Sequence, residues 1–169
     1  ECAAIRRVLV PAGRRDAVVA ALAASFDART TVGDPHAEGV TMGPLASMDQ
    51  LTDVRAAVGR LVEAGGAVAY GTLDAAQAVA REGHEGSQGA FMSPVVLTWD
   101  NPDAPEVHSI EAFGPVTSVI EYQDVDDAVR LAALGGGSLV ATICSHDPET
   151  VVALTRGIAV PHDLSVIAY

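Results

Sequence analysis

The chain of 169 residues carries 22 acidic against 10 basic residues, a net charge of −12, and every basic residue is arginine. Without clustered positive charge it is read as binding neither nucleic acid nor an anionic membrane, and without lysine it cannot form a Schiff base. The hydrophobic share is 49%, yet apolar runs such as residues 17–24 fall far short of the ~20 residues a membrane helix needs.

A length of this order suits one domain with a sizeable core. Ile5-Arg6-Arg7-Val8-Leu9-Val10 reads as a strand stopped by Pro11. Residues 14–28 read as a helix with Val18, Val19, Leu22 and Phe26 on one stripe. A Gly/Pro-rich loop runs through Gly33-Asp34-Pro35 and Met42-Gly43-Pro44-Leu45. Ser47 opens a second helix, and Gln50 three residues on completes a capping box. Leu51, Val54, Val58, Leu61 and Val62 form its buried face, and Gly65-Gly66 ends it. Val68-Ala69-Tyr70 is a short strand, while the polar stretch 74–89 shows a turn or two of helix at most.

Strands follow at 95–99 and 116–122. Asp124, Asp126 and Asp127 begin a helix with negative charge where its dipole favours it. Residues 139–144 form an apolar strand, Asp147-Pro148-Glu149 starts a further helix, and residues 164–169 close the chain as a last strand. Alternating strands and helices, with near-continuous apolar strands, predict an α/β fold: a largely parallel twisted sheet with helices on both faces.

The most distinctive motif is Ile110-Glu111-Ala112-Phe113-Gly114-Pro115-Val116. Gly tolerates φ > 0 and Pro presets φ near −65°, so the pair fixes a sharp turn into the strand. Glu111 is thereby held where a carboxylate can hydrogen-bond a sugar, and Phe113 where a ring can press on a flat ligand. Cys2 and Cys144, with no secretion signal, read as free thiols of a reducing, cytoplasmic compartment. Cys144 lies in an apolar pattern and reads as a buried structural thiol. His36, His84, His108, His146 and His162 have no metal-ligand spacing and read as solvated loop residues, with no metal site. His108 is close enough to the Glu111 motif to touch substrate. Arg6 and Arg7 alternate faces on one strand, with a surface ion pair the expected role. Gly135-Gly136-Gly137 reads as a helix stop.

Taken in order, these stretches resemble the aldehyde dehydrogenase superfamily, specifically its catalytic, thiol-bearing domain. The segment from Glu1-Cys2-Ala3 into the first strand resembles the nucleophile segment. Gly33-Asp34-Pro35 with Met42-Gly43-Pro44-Leu45 resembles the G-D-P…G-P-L loop, and Glu111 with Phe113-Gly114-Pro115-Val116 the E-x-F-G-P-V motif. A narrower likeness, through Ala4-Ile5-Arg6-Arg7 and residues 107–113 and 137–141, is to the branch that oxidises a ring-opened semialdehyde in phenylacetate degradation.

The resemblance implies Cys2 as the nucleophile, forming a thiohemiacetal and then a thioester with a small-molecule aldehyde, one that is CoA-linked in that branch. It implies Glu111 accepting from the nicotinamide ribose hydroxyls and Phe113 bounding the nicotinamide pocket of NAD or NADP. It further implies a dinucleotide-binding domain, a general-base glutamate, an oxyanion asparagine and an oligomerisation tail, none of which is recognisable in residues 1–169. The chain is therefore expected to be a single catalytic-domain fragment, inactive alone. Its expected partners are its own dinucleotide-binding domain, a fused hydratase domain in the narrower branch, and further copies in a homo-oligomer. Two other readings stay open: a cysteine hydrolase or acyltransferase pairing Cys2 with a histidine, and a non-catalytic interaction module.

Overall fold

A computed structural model describes residues 4–74, 76–82, 89–136, 138–162 and 165–168. The elements run β1 (Arg7–Pro11), α1 (Arg15–Arg29), α2 (Met48–Glu63), β2 (Ala67–Tyr70), β3 (Val95–Trp99), α3 (Pro105–Ser109), β4 (Val116–Tyr122), α4 (Val125–Ala133), β5 (Val140–Ile143), α5 (Pro148–His162) and β6 (Ser165–Ala168). Four strands form one sheet in the order β1-β4-β3-β2. β1, β4 and β3 are parallel, while β2 joins the edge antiparallel with a register shift between Val68 and Tyr70. β5 and β6 form a separate parallel pair bridged by α5.

Successive side chains of a strand point to opposite faces, and here both faces are covered. Val8, Val10, Val96 and Val119 meet the α1 stripe of Val18, Val19, Leu22 and Phe26. On the other face Val95, Leu97, Trp99 and Ile120 pack against Leu51, Val54, Val58 and Leu61 of α2, Val107 of α3 and Leu131 of α4. The α/β fold with a mostly parallel sheet and helices on both faces is thus the observed one. The expected buried face of α2 holds except at Val62, which is 40% exposed.

Local chemistry explains the boundaries. Ser47 Oγ accepts from Gln50 N at 3.0 Å, capping α2. The reciprocal half of the capping box is displaced by one residue, because Gln50 Oε1 accepts from Ala46 N rather than Ser47 N. α1 lacks a cap from its own N-cap residue, Arg14; Glu121 of β4 instead accepts from the backbone N–H groups of Gly13 and Arg15 at 2.8 and 3.1 Å. Asp124 caps α4 by accepting from Asp127 N. Gly65, at φ +112°, takes the chain out of α2 in a conformation that side chains resist.

The short helix α3 was not expected from periodicity. It starts with Pro105 at its first turn and Glu106 behind it, a recognisable start signal hidden by brevity. The 139–144 strand is shorter than expected, and Cys144, expected to be buried, is exposed. The reason is that α5 covers one face of the two-stranded β5–β6 sheet, leaving Val140, Thr142 and Ile167 outward. No helix among the described residues is long and apolar enough to cross a membrane.

Candidate active site

The Glu111–Phe113 corner lies between α3 and β4, at the end of the sheet where β1, β4 and β3 begin. Ile110 N donates to Glu106 O, closing α3, and the chain then turns tightly: Gly114 N donates to Ala112 O at 2.7 Å and Val116 N to Gly114 O at 2.8 Å. Gly114 does not adopt positive φ, contrary to the expected reason for a glycine there. It is needed because α2 passes too close: a Cβ would fall 2.9 Å from both Val54 methyl carbons.

Gln50 on α2 braces the corner, donating from Nε2 to the Phe113 carbonyl at 2.7 Å. Sequence reasoning gave Gln50 a capping role alone, since the capping-box pattern accounts for the residue completely. With the backbone held, the Phe113 ring is 48% exposed and Glu111 is exposed. The Glu111 carboxylate makes no hydrogen bond or ion pair among the described residues. Glu111 and Phe113 line an open groove of about 770 Å³ whose other wall is α2, with Gln50, Asp49, Asp53 and Arg60. The groove thus presents carboxylate acceptors, one arginine and an exposed aromatic ring.

Cys2 and the preceding and following residues, 1–3, lie outside the described residues. The described chain begins at Ala4 and enters β1, where Arg7 pairs with Ser118 and Ser118 N donates to Arg6 O at 3.0 Å. Since β1 and β4 are parallel neighbours, residues 4–6 and residues 114–116 come to the same end of the sheet.

His108 and Arg7 depart from their expected roles. His108 is buried, at 4% exposure, in α3. Its Nδ1 lies 2.8 Å from Arg7 Nη1 and its Nε2 lies 2.8 Å from the Pro102 carbonyl oxygen. Guanidinium N–H groups can only donate, so Nδ1 accepts and Nε2 carries the proton it gives to Pro102. Burial, opposed by that bond to Pro102 and aided by the Arg7 charge, lowers the His108 pKa below its ordinary value. With both nitrogens engaged, His108 is not a free base for a cysteine hydrolase.

Among the described residues Arg7 makes no ion pair. It turns inward and donates to the Leu131 and Ala132 carbonyls at 2.8 and 3.0 Å, at the C-terminal end of α4, where a cation is favoured by the dipole. Burial first, and Arg6 second, bring its pKa down to about 10, so it remains cationic at neutral pH. Gly135 is more than a helix stop: a Cβ there would occupy the space of the Arg7 guanidinium. Gly137 lies outside the described residues. Among the described residues no cluster of three His, Cys, Asp or Glu is placed to hold a metal.

The fold is that of an α/β domain with an open groove at the strand ends, and comparison fixes its family. The aldehyde dehydrogenase family pattern matches residues 1–161. The chain is 38% identical over 168 residues to 3,4-dehydroadipyl-CoA semialdehyde dehydrogenase of Aromatoleum evansii, covering 96% of this chain and 31% of that protein. It is 37% identical over 122 residues to protein MaoC of Klebsiella aerogenes, covering 72% and 34%. Among solved structures it superposes with a TM-score of 0.79 on a mutant aldehyde dehydrogenase C of Pseudomonas syringae solved with NAD+ and octanal. That match is 27% identical and covers 96% of this chain and 31% of the other. An NAD-dependent aldehyde dehydrogenase of Sinorhizobium meliloti gives a TM-score of 0.78 at 26% identity, covering 96% and 29%. The chain belongs to the aldehyde dehydrogenase family, and it spans about a third of the length of the curated relatives it matches.

Proposed function

We propose that these residues form the catalytic-domain part of an NAD(P)-dependent aldehyde dehydrogenase whose nucleophile is Cys2. A thiolate suits the chemistry because it is strongly nucleophilic and its thioester is labile enough to turn over. The Cys2 sulfur attacks the aldehyde carbon, and the Cys2 backbone N–H supplies part of the oxyanion site. Removing one such donor costs roughly 3–4 kcal/mol in other enzymes. Glu111 would accept from the ribose hydroxyls of the cofactor, and Phe113 would bound its nicotinamide. Their exposure on one groove wall, with the carboxylate unengaged, suits a diol and a flat ring. A nicotinamide held by these residues would supply the hydride acceptor of the oxidation.

The observation that carries this reading is the parallel pairing of β1 with β4, which brings the lead-in from Cys2 and the Glu111–Phe113 corner to one end of the sheet. The substrate is a CoA-linked semialdehyde of aromatic catabolism, in keeping with the relative from Aromatoleum evansii. The dinucleotide-binding domain, the general base and the oligomer contacts come from chain beyond these 169 residues, and the enzyme works in the cytoplasm.

The test is oxidation of 3,4-dehydroadipyl-CoA semialdehyde by the complete polypeptide with NAD+ or NADP+. Cys2→Ala is expected to abolish turnover while leaving the thermal midpoint in place, and residues 1–169 alone are expected to be inactive. Full activity in Cys2→Ala, or cofactor-dependent turnover by the isolated fragment, refutes the assignment.

A further inference from the structure

Two residues that no catalytic step requires sit at the junction of the two halves of the proposed site. Arg7 follows the Cys2 segment by five positions on β1, and His108 precedes Glu111 by three on α3. Their 2.8 Å bond is the described side-chain hydrogen bond joining these two elements. Each partner is immobilised from behind. Arg7 is anchored to the Leu131 and Ala132 carbonyls, in a space that only a glycine at position 135 leaves open. His108 is anchored to the Pro102 carbonyl.

We propose that the Arg7–His108 hydrogen bond is a positioning clamp. It fixes the start of β1 against α3, the helix that leads into the Glu111–Phe113 corner, so that the chain running back from Arg7 toward the proposed nucleophile and the cofactor corner keep one spacing. The inference rests on the dehydrogenase reading above and adds to it two residues that act through Cys2 and Glu111 without touching substrate.

The chemistry of the pair makes the clamp conditional. Arg7 can only donate, so the bond exists only while His108 Nδ1 is unprotonated. Protonation removes the acceptor and sets imidazolium against guanidinium at hydrogen-bond distance. The charged groups acting on His108 are Arg7 from β1, Asp103 from the loop before α3, and Arg130 from α4. Asp103 is itself engaged by Arg130 at 2.5 Å, so it is not free to compensate a second buried cation. The clamp is closed at neutral pH and opens in acid.

The test needs no aldehyde. In the complete polypeptide, alkylation of Cys2 by iodoacetamide is followed by peptide mass spectrometry with and without saturating NAD+, and exposed Cys144 serves as the internal reference. The ratio of the two rates is the protection factor, and comparing its pH profile between the native protein and His108→Asn separates the clamp from the titration of the thiol. The expected native result is strong protection of Cys2 at pH 7.5 that fades toward pH 5. His108→Ala is expected to cut protection about fivefold to tenfold at pH 7.5, the scale of one net intramolecular hydrogen bond. His108→Asn, whose amide oxygen accepts and does not titrate, is expected to restore most of it and to flatten the pH profile. Thermal midpoints of both variants identify one that has failed to fold, and His108→Asn then decides the matter alone. Protection unchanged in His108→Ala, or as acid-sensitive in His108→Asn as in the native protein, overturns the clamp. A native protein whose Cys2 is unprotected by NAD+ at every pH overturns the shared pocket beneath it, which is a different failure.

Discussion

At the scale of single residues, the site depends on what is not there as much as on what is. Gly114 lets α2 press Val54 against the turn after Phe113, and Gly135 leaves room for the Arg7 guanidinium. Gly114→Ala and Gly135→Ala should each cost about 1–3 kcal/mol by overpacking, measured as lowered denaturant midpoints of the complete polypeptide. Wild-type midpoints in both would show that neither approach is tight in solution. His108 adds a pH dependence whose sign is fixed. Its folded pKa lies below the ordinary 6.5, so the unfolded chain binds more protons between the two values. The stability it contributes is complete above pH ~6.5 and is lost as pH falls through the folded value. The thermal midpoint should therefore drop from pH 7.5 to pH 5 more in the native protein than in His108→Asn; equal drops would place the titrating group elsewhere.

At the scale of elements, α2 links the cap at its start to the corner across the groove. Ser47→Ala should cost about 1 kcal/mol through loss of the N-cap. Gln50→Ala removes the bonds to Ala46 N and the Phe113 carbonyl. It is expected to raise the KM for NAD(P)+ severalfold with a smaller change in kcat, because the brace acts on the cofactor corner. A fall in kcat alone would contradict that role. Most elements were legible in the sequence because each carried a local signal: the 3.6-residue spacing of Leu51, Val54, Val58 and Leu61, the acidic start at Asp124, Asp126 and Asp127, the apolar run at 95–99. What was not legible depends on partners distant in the chain. Glu121 caps α1 from 106 and 108 residues away, and His108 and Arg7 are 101 residues apart. No local pattern marks such pairs, so His108 read as a solvated histidine and Arg7 as a surface cation. Cys144 failed for a related reason: its apolar surroundings are real, but a two-stranded sheet with α5 on one side buries only alternate residues.

At the scale of the whole molecule, the order of the Cys2 segment, the Gly33–Leu45 loop and the Glu111–Val116 motif made the family legible, and the match over residues 1–161 bears that family out. The surface away from the groove carries its own consequence. Ile5, Leu139, Val140, Val152 and Ile167 are all between 41% and 64% exposed, apolar side chains that a covering partner would take out of water. Residues 1–169 expressed alone should bind a hydrophobic dye and scatter light as more than a monomer, and a dye-silent monomer would argue against a covering partner. The central claim is that Cys2 and the Glu111–Phe113 corner face one pocket. The most direct measurement is cross-linking of Cys2 to Phe113→Cys by a short bifunctional maleimide, in the complete polypeptide with Cys144→Ser. A cross-link between the two thiols, suppressed by NAD+, is the expected result. Single labelling of both thiols with no link between them would contradict the account.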